Sequence, residues 1–136
     1  MEPAELKMRT KQFALRIIRM VESLPRTRTA DVIGRQVLRS GTSVGANYRA
    51  ACRAKSRADF ISKMGTVEEE CDETGYWMEL LAESGQVKPA RLKNLMQEGD
   101  ELLRIVIASS RTARRNANPQ SAIRNPQSGV RNPQSR

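Results

Sequence analysis

The sequence predicts an all-α protein: an antiparallel up-down-up-down four-helix bundle with a disordered C-terminal tail. Three observations predict it. Apolar residues recur at alternating spacings of three and four through four separate segments. The links between those segments are a few residues long, which forces consecutive helices to run antiparallel. From Asn118 onward the chain becomes a polar tandem repeat with a proline in each unit, a pattern that neither continues a helix nor buries a core. Residues 1–112 are therefore expected to form the bundle and residues 113–136 the tail. A domain of about 110 residues buries roughly two-thirds of its unfolded surface, enough for one core without cross-links.

The first helix is expected from Pro3 to Ser23. Proline suits the first turn, and Pro25 follows the end. Leu6, Thr10, Phe13, Ile17, Met20 and Leu24 follow the a/d spacing of a bundle helix. Lys7, Lys11, Arg16 and Arg19 fall on its other faces. The second helix is expected over about 30–53, capped by Thr29, with Ile33, Val37, Ser40, Val44, Asn47 or Tyr48, and Ala51 inward. Gly41 and Gly45 are unusual inside a helix, each costing about 1 kcal/mol against alanine. Either the helix breaks there or small residues admit a neighbouring helix; one long, bent helix is the expectation.

Ser56 opens the third helix, with Asp59 three residues on in a variant of the capping box. Phe60, Met64, Val67, Cys71, Thr74, Met78 and Leu81 hold the spacing without interruption, and Gly85 suits the residue just past the end. Pro89 begins the fourth helix. Leu92, Leu95, Gly99, Leu102 and Val106 carry its stripe to about Arg111. Beyond it stand Asn118-Pro119-Gln120-Ser121-Ala122-Ile123-Arg124 and two near-copies, a seven-residue repeat of NPQS type that ends the chain.

Composition narrows the chemistry. The chain has no histidine, so the commonest general base and transition-metal ligand is missing. The run Glu68-Glu69-Glu70-Cys71-Asp72-Glu73 looks like metal-binding material, but di-iron bundles need Glu-x-x-His and inward carboxylates, so a solvated or partner-facing acidic face is expected. Gly41-Thr42-Ser43-Val44-Gly45 lacks the lysine and preceding strand of a phosphate loop. Cys52 and Cys71 form no C-x-x-C pair and read as reduced thiols, Cys71 inert on the core stripe and Cys52 the more reactive. No cofactor, no metal and no enzymatic activity are expected. No apolar run spans a membrane and the acidic N-terminus is no signal peptide, so a cytoplasmic protein is expected.

The net charge of +9 is unevenly spread. Residues 7–57 hold 13 Lys/Arg against 2 acids, residues 58–112 hold 6 against 11, and residues 113–136 hold 5 arginines and no acid. A basic first half beside an acidic second half suits nucleic acid or head-to-tail association. Arg35, Arg39, Arg49, Arg53, Lys55 and Arg57 are the candidate nucleic-acid contacts, with Tyr48 placed to stack on a base. Against this stands an ordinary solvated face. Tyr76 and Trp77, off the core stripe, with Glu69 and Glu73, are the candidate oligomer interface; against it stands a wider core face.

Leu24-Pro25, Arg39-Ser40-Gly41-Thr42-Ser43-Val44-Gly45-Ala46-Asn47, the basic turn Arg53-Ala54-Lys55-Ser56, then Phe60 and Glu73 occur in an order and spacing that resembles one family. It is the four-helix-bundle family of proteins encoded in intervening sequences of 23S ribosomal RNA genes. The likeness covers about residues 5–110 and excludes the repeat. Many members carry an acid three residues after the Asn, where this chain has Ala50. The resemblance implies a small bacterial homo-oligomer, with a pentameric ring among relatives, and no established enzymatic activity. It also implies similarity to the accessory protein of diversity-generating retroelements, hence a reverse transcriptase or another protein as partner. The expected function is a non-enzymatic oligomeric accessory module that binds RNA or DNA through a basic face. The alternative is a homo-oligomeric protein-interaction scaffold with no nucleic-acid role.

Overall fold

The computed structural model describes residues 1–117, and the NPQS repeat lies outside them. Four helices follow one another: α1 (Pro3–Glu22), α2 (Arg28–Cys52), α3 (Arg57–Glu83) and α4 (Pro89–Ala117). Consecutive helices pack side by side, and α4 closes the ring against α1; the backbones of the diagonal pairs do not come close among the described residues, and their side chains meet only in the shared core. This is the up-down-up-down bundle that the short links dictate. The last helix runs on to Ala117, past the expected end near Arg111 and past the expected tail boundary at 112. Residues 113–117 contain neither proline nor glycine, so the helix has no local reason to stop.

Helix ends follow local chemistry, with one correction. The cap of α2 is Thr27, not Thr29. Thr27 holds an extended backbone, its hydroxyl oxygen accepts from the Ala30 amide at 3.0 Å, and the same hydroxyl donates to Gln86 Oε1 at 2.6 Å. The cap is therefore also tied to the α3–α4 link, and Thr29 lies in the first turn of the helix. Ser56 caps α3 through the Asp59 amide. Asp59 reaches back to the Lys55 amide rather than to Ser56, and it also takes the Lys63 ammonium at 2.6 Å. At the other end of α3, Gly85 adopts φ +82. The Gln86 amide donates to Leu81 and the Gly85 amide to Ala82, the paired bonds of a Schellman turn.

The predicted stripes form the core. Leu6, Phe13, Ile17, Val37, Val44, Met64, Val67, Met78, Leu81, Leu92, Leu102 and Val106 are all buried. Spacing leaves Asn47 and Tyr48 open for the inward position; Tyr48 takes it, only 5 % exposed. The helix α2 is continuous through its glycines, which settles the two readings in favour of close packing. A Cβ on Gly41 would stand 2.9 Å from Ile17 Cγ1, and one on Gly45 3.2 Å from Thr10 Oγ1. The seam between α1 and α2 is therefore built from absent side chains. Across α2 and α3, the buried hydroxyls of Ser40 and Thr74 lie 2.9 Å apart, and Thr74 also bonds the Glu70 carbonyl. These polar residues on core stripes are thus satisfied by each other and by the helix backbone.

Candidate nucleic-acid and oligomer surfaces

The six candidate basic residues, which run from α2 to the first residue of α3, separate into two groups. Arg35 pairs with Asp31 one turn away at 3.1 Å, on a well-solvated part of the surface. Arg39 is held more firmly. It bonds Gln36 on its own helix and reaches the carboxylates of Glu70 and Glu73 on α3. Glu73 in turn accepts the Trp77 indole N–H at 2.9 Å. Arg39, expected on the nucleic-acid face, and Glu73 and Trp77, expected at an oligomer interface, therefore belong to one network within the chain. The basic half and the acidic half of the sequence meet here within the bundle, because α2 and α3 are neighbours. Spacing along one helix does not reveal a pairing across two.

Arg49, Arg53, Lys55 and Arg57 differ. All four are exposed, and none joins an ion pair among the described residues. They occupy the last turn of α2, the link and the first residue of α3. The tertiary fold brings further cations to the same end. Lys7 and Lys11 of α1 share with Arg49 a groove of about 520 Å³ floored by Gly45 and Ala46. Arg57 lines a larger one, about 820 Å³, with Thr112 and Asn116 of α4, whose last turn carries Arg114 and Arg115. Sequence reasoning misses these additional residues because it assigns 113–117 to the tail and cannot place α1 beside the end of α2.

Tyr48 is a correction. It belongs to the core and, although it also lines the groove of Arg57, it is only 5 % exposed, which leaves no open ring face to stack on a base. Burial, with the Cys52 side chain as neighbour, pushes its phenol above the usual range and keeps it neutral. Of the interface candidates, Tyr76 is 53 % exposed and Glu69 is exposed, while Trp77 and Glu73 are half-buried. The Tyr76 and Trp77 rings meet edge to face, centroids 5.3 Å apart. One apolar feature was not anticipated. Met8, Leu15 and Ile18 are 64, 38 and 39 % exposed on the outer side of α1. Their spacing of seven and three is a second helical stripe, hidden in sequence by the stronger inward one.

Chemistry elsewhere is sparse. The acidic run of α3 splits between Arg39 partners and solvent, and among the described residues no three His, Cys, Asp or Glu side chains converge as metal ligands. Cys71 is buried, and burial followed by the charges of Glu68, Glu70 and Asp72 pushes its thiol up to about 12. Cys52 is half-buried near the end of α2. No described helix is long and apolar enough to cross a membrane.

Comparison with known proteins supplies an independent line. The model of a family described as 23S rRNA-intervening sequence protein matches residues 3–108. The chain is also similar to a solved protein of unknown function from the S23 ribosomal protein family of Bacteroides thetaiotaomicron. The two share 34% identity with a TM-score of 0.76, over 82% of this chain and 99% of that one. No curated protein matches the chain significantly.

Proposed function

The chain belongs to the 23S rRNA-intervening sequence protein family, and on that premise we propose that it is a non-enzymatic, homo-oligomeric accessory module that binds RNA or DNA through one end of the bundle. One observation carries the reading. Arg49, Arg53, Lys55 and Arg57 are exposed without internal acidic partners, and the fold adds Lys7, Lys11, Arg114 and Arg115 to that end. A set of long cationic side chains spread over one end suits phosphate backbones rather than base edges. Arg39 and Arg35 contribute less, since acids on the same chain already neutralise them. A role beside a nucleic-acid-processing partner such as a reverse transcriptase fits such sequence-independent binding. The chain's lack of histidine fits the absence of a catalytic step.

Fluorescence anisotropy with a short RNA duplex and a single-stranded DNA tests this. Affinity should fall steeply between about 50 and 200 mM salt. Changing Arg49, Arg53, Lys55 and Arg57 together to Glu should abolish binding without altering the helical signal. Salt-insensitive binding, or binding that survives those changes, sinks the reading.

A second reading has its own observation. The exposed stripe Met8, Leu15 and Ile18 on α1, rimmed by Lys7 and Lys11, is complementary in charge to the outer face of α3, where Tyr76 stands among Glu69, Asp72 and Glu79. Contact between these faces on successive subunits gives a head-to-tail assembly, a ring where the rotation between subunits closes, and a scaffold that needs no nucleic acid. Light scattering distinguishes it. Met8→Glu with Leu15→Glu should reduce the assembly to monomers, and a wild-type protein that is already monomeric at micromolar concentration ends both oligomeric readings.

A further inference from the structure

The seam between α1 and α4 carries an internal control for its own charges. Arg9 of α1 is clasped by two acids of α4. Its Nε and Nη2 meet the two oxygens of Glu98 at 3.1 and 2.6 Å, and Nη2 also meets Glu101 at 2.9 Å. In antiparallel helices, one heptad forward on α1 faces one heptad back on α4. Seven residues after Arg9 stands Arg16; seven before Glu98 and Glu101 stand Arg91 and Asn94. Where the pattern calls for two carboxylates, the chain supplies a further cation and an amide.

The result is a groove of about 460 Å³ at the opposite end of the bundle from the α2–α3 link. Arg16, Arg19, Arg91 and Asn94 line it over a floor that includes Leu92 and Leu95. None of the three arginines joins an ion pair among the described residues. The first turn of α4 contains Arg91 and no acid, so a cation sits where the helix dipole disfavours one. Like charges gathered around a concavity, against the local dipole, are stable together when an anion sits between them.

We infer that this groove is a binding site for a terminal phosphoryl group, the di- or monophosphate of a nucleotide. A carboxylate carries one charge, and the Arg9 clasp takes two of them for one guanidinium. Three arginines lining one concavity supply the charge for a tetrahedral group with two or more negative charges, each guanidinium fork able to take a pair of its oxygens. Asn94 adds a neutral donor. The site stands apart from the proposed nucleic-acid surface and shares no residue with it. The phosphoryl group has two sources, a free nucleotide or the 5′ end of a strand, and both present the same chemistry to the arginines.

Titration calorimetry at low salt with inorganic pyrophosphate, ADP, and matched RNA oligomers bearing a 5′-phosphate or a 5′-hydroxyl tests it. Pyrophosphate and ADP should bind, and Arg16→Gln or Arg91→Gln should each weaken them roughly tenfold. Arg9→Gln and the Arg49, Arg53, Lys55 and Arg57 variant should leave them unchanged, so failure here and failure of the nucleic-acid reading are separate results. A strand with a 5′-phosphate that displaces ADP while its 5′-hydroxyl twin does not identifies the strand end as the source; ADP binding with no difference between the strands identifies the free nucleotide. Arg91→Glu restores the acid of the Arg9 pattern opposite Arg16. It should abolish phosphate binding while raising the melting temperature at low salt, a pair of opposite effects that simple misfolding cannot give. No heat with pyrophosphate at millimolar concentration overturns the inference, as does equal affinity in the wild type and the Arg16→Gln and Arg91→Gln variants. So does a fall in assembly mass in those variants with phosphate binding intact, which would show acids of a second copy filling the groove.

Discussion

The two sides of α1 are joined to the bundle in opposite ways. Toward α2 the helix is seated by what is missing: Ile17 lies in the space over Gly41, Thr10 in that over Gly45, and Leu24 beside Gly34. Toward α4 the backbones approach at few places. There, side chains bridge the distance: Phe13 meets Gly99, Arg9 clasps Glu98 and Glu101, and one heptad on the clasp gives way to a cationic groove. One side is fixed by steric fit, which leaves least room for added volume at Gly41. The other is fixed by charge, which can be screened, rewritten or left open for a ligand. A helix in a small bundle can thus have one side committed to folding and the other open to binding.

The largest test attacks the steric side. Gly41→Leu places branched carbons into Ile17 and should cost about 3 kcal/mol, read from the urea midpoint at unchanged slope. Gly41→Ala should still destabilise despite alanine's better helix propensity, because the contacted atoms Cγ1, Cγ2 and Cβ belong to the stiff, buried Ile17. Gly34→Ala meets Leu24 Cδ1, the free end of a flexible side chain, and should be far milder. If both alanine variants behave alike, the seam is not set by glycine.

A smaller effect is expected on the charged side. Arg9→Gln removes a forked pair whose members are about a quarter exposed, at 27% and 21%, and should cost about 1 kcal/mol at low salt. That cost should shrink in 1 M salt (roughly a 3 Å screening length), whereas the cost of Gly41→Leu should not. Equal salt dependence of the two would erase the distinction between the seams. Gly65 serves as the control for both. A Cβ added there meets nothing within 4 Å, so Gly65→Ala should stabilise α3 by about 0.5–1 kcal/mol.

The smallest effect at neutral pH concerns the thiols. Cys52 should react with a disulfide reagent before Cys71 does, and Cys52→Ser should remove the fast phase. The folded Cys71 thiol keeps its proton up to about 12, while the unfolded chain loses it near 9.0. This group therefore leaves stability untouched at neutral pH and subtracts from it as pH climbs from about 9 toward 12. Cys71→Ala should flatten that part of the alkaline denaturation curve.

Much of the fold was legible because heptad spacing and capping are local. The α3 stripe from Phe60 to Leu81, the Ser56 cap and the left-handed Gly85 needed only neighbours within a few residues. The surfaces were less legible. Tyr48 and Asn47 are adjacent, and a one-residue difference decides between core and surface. Arg39 reads as a free cation in sequence because its acids lie 31 and 34 residues away. Thr27, the cap of α2, also bonds Gln86, 59 residues distant, a contact that spacing along the chain does not show.

Four helices, their order, their inward faces and a strongly divided charge could be read from the chain alone, because each depends on periodicity or on a sum. Which charges cancel was settled only when the helices packed. Electrostatic pairing depends on distance across helices, and the bundle places Arg39 against Glu73, Arg9 against Glu98, and Arg16 and Arg91 on the walls of one groove. The same residue type, on faces equally polar in sequence, is an internal strut in the first two places and an open cationic wall in the third.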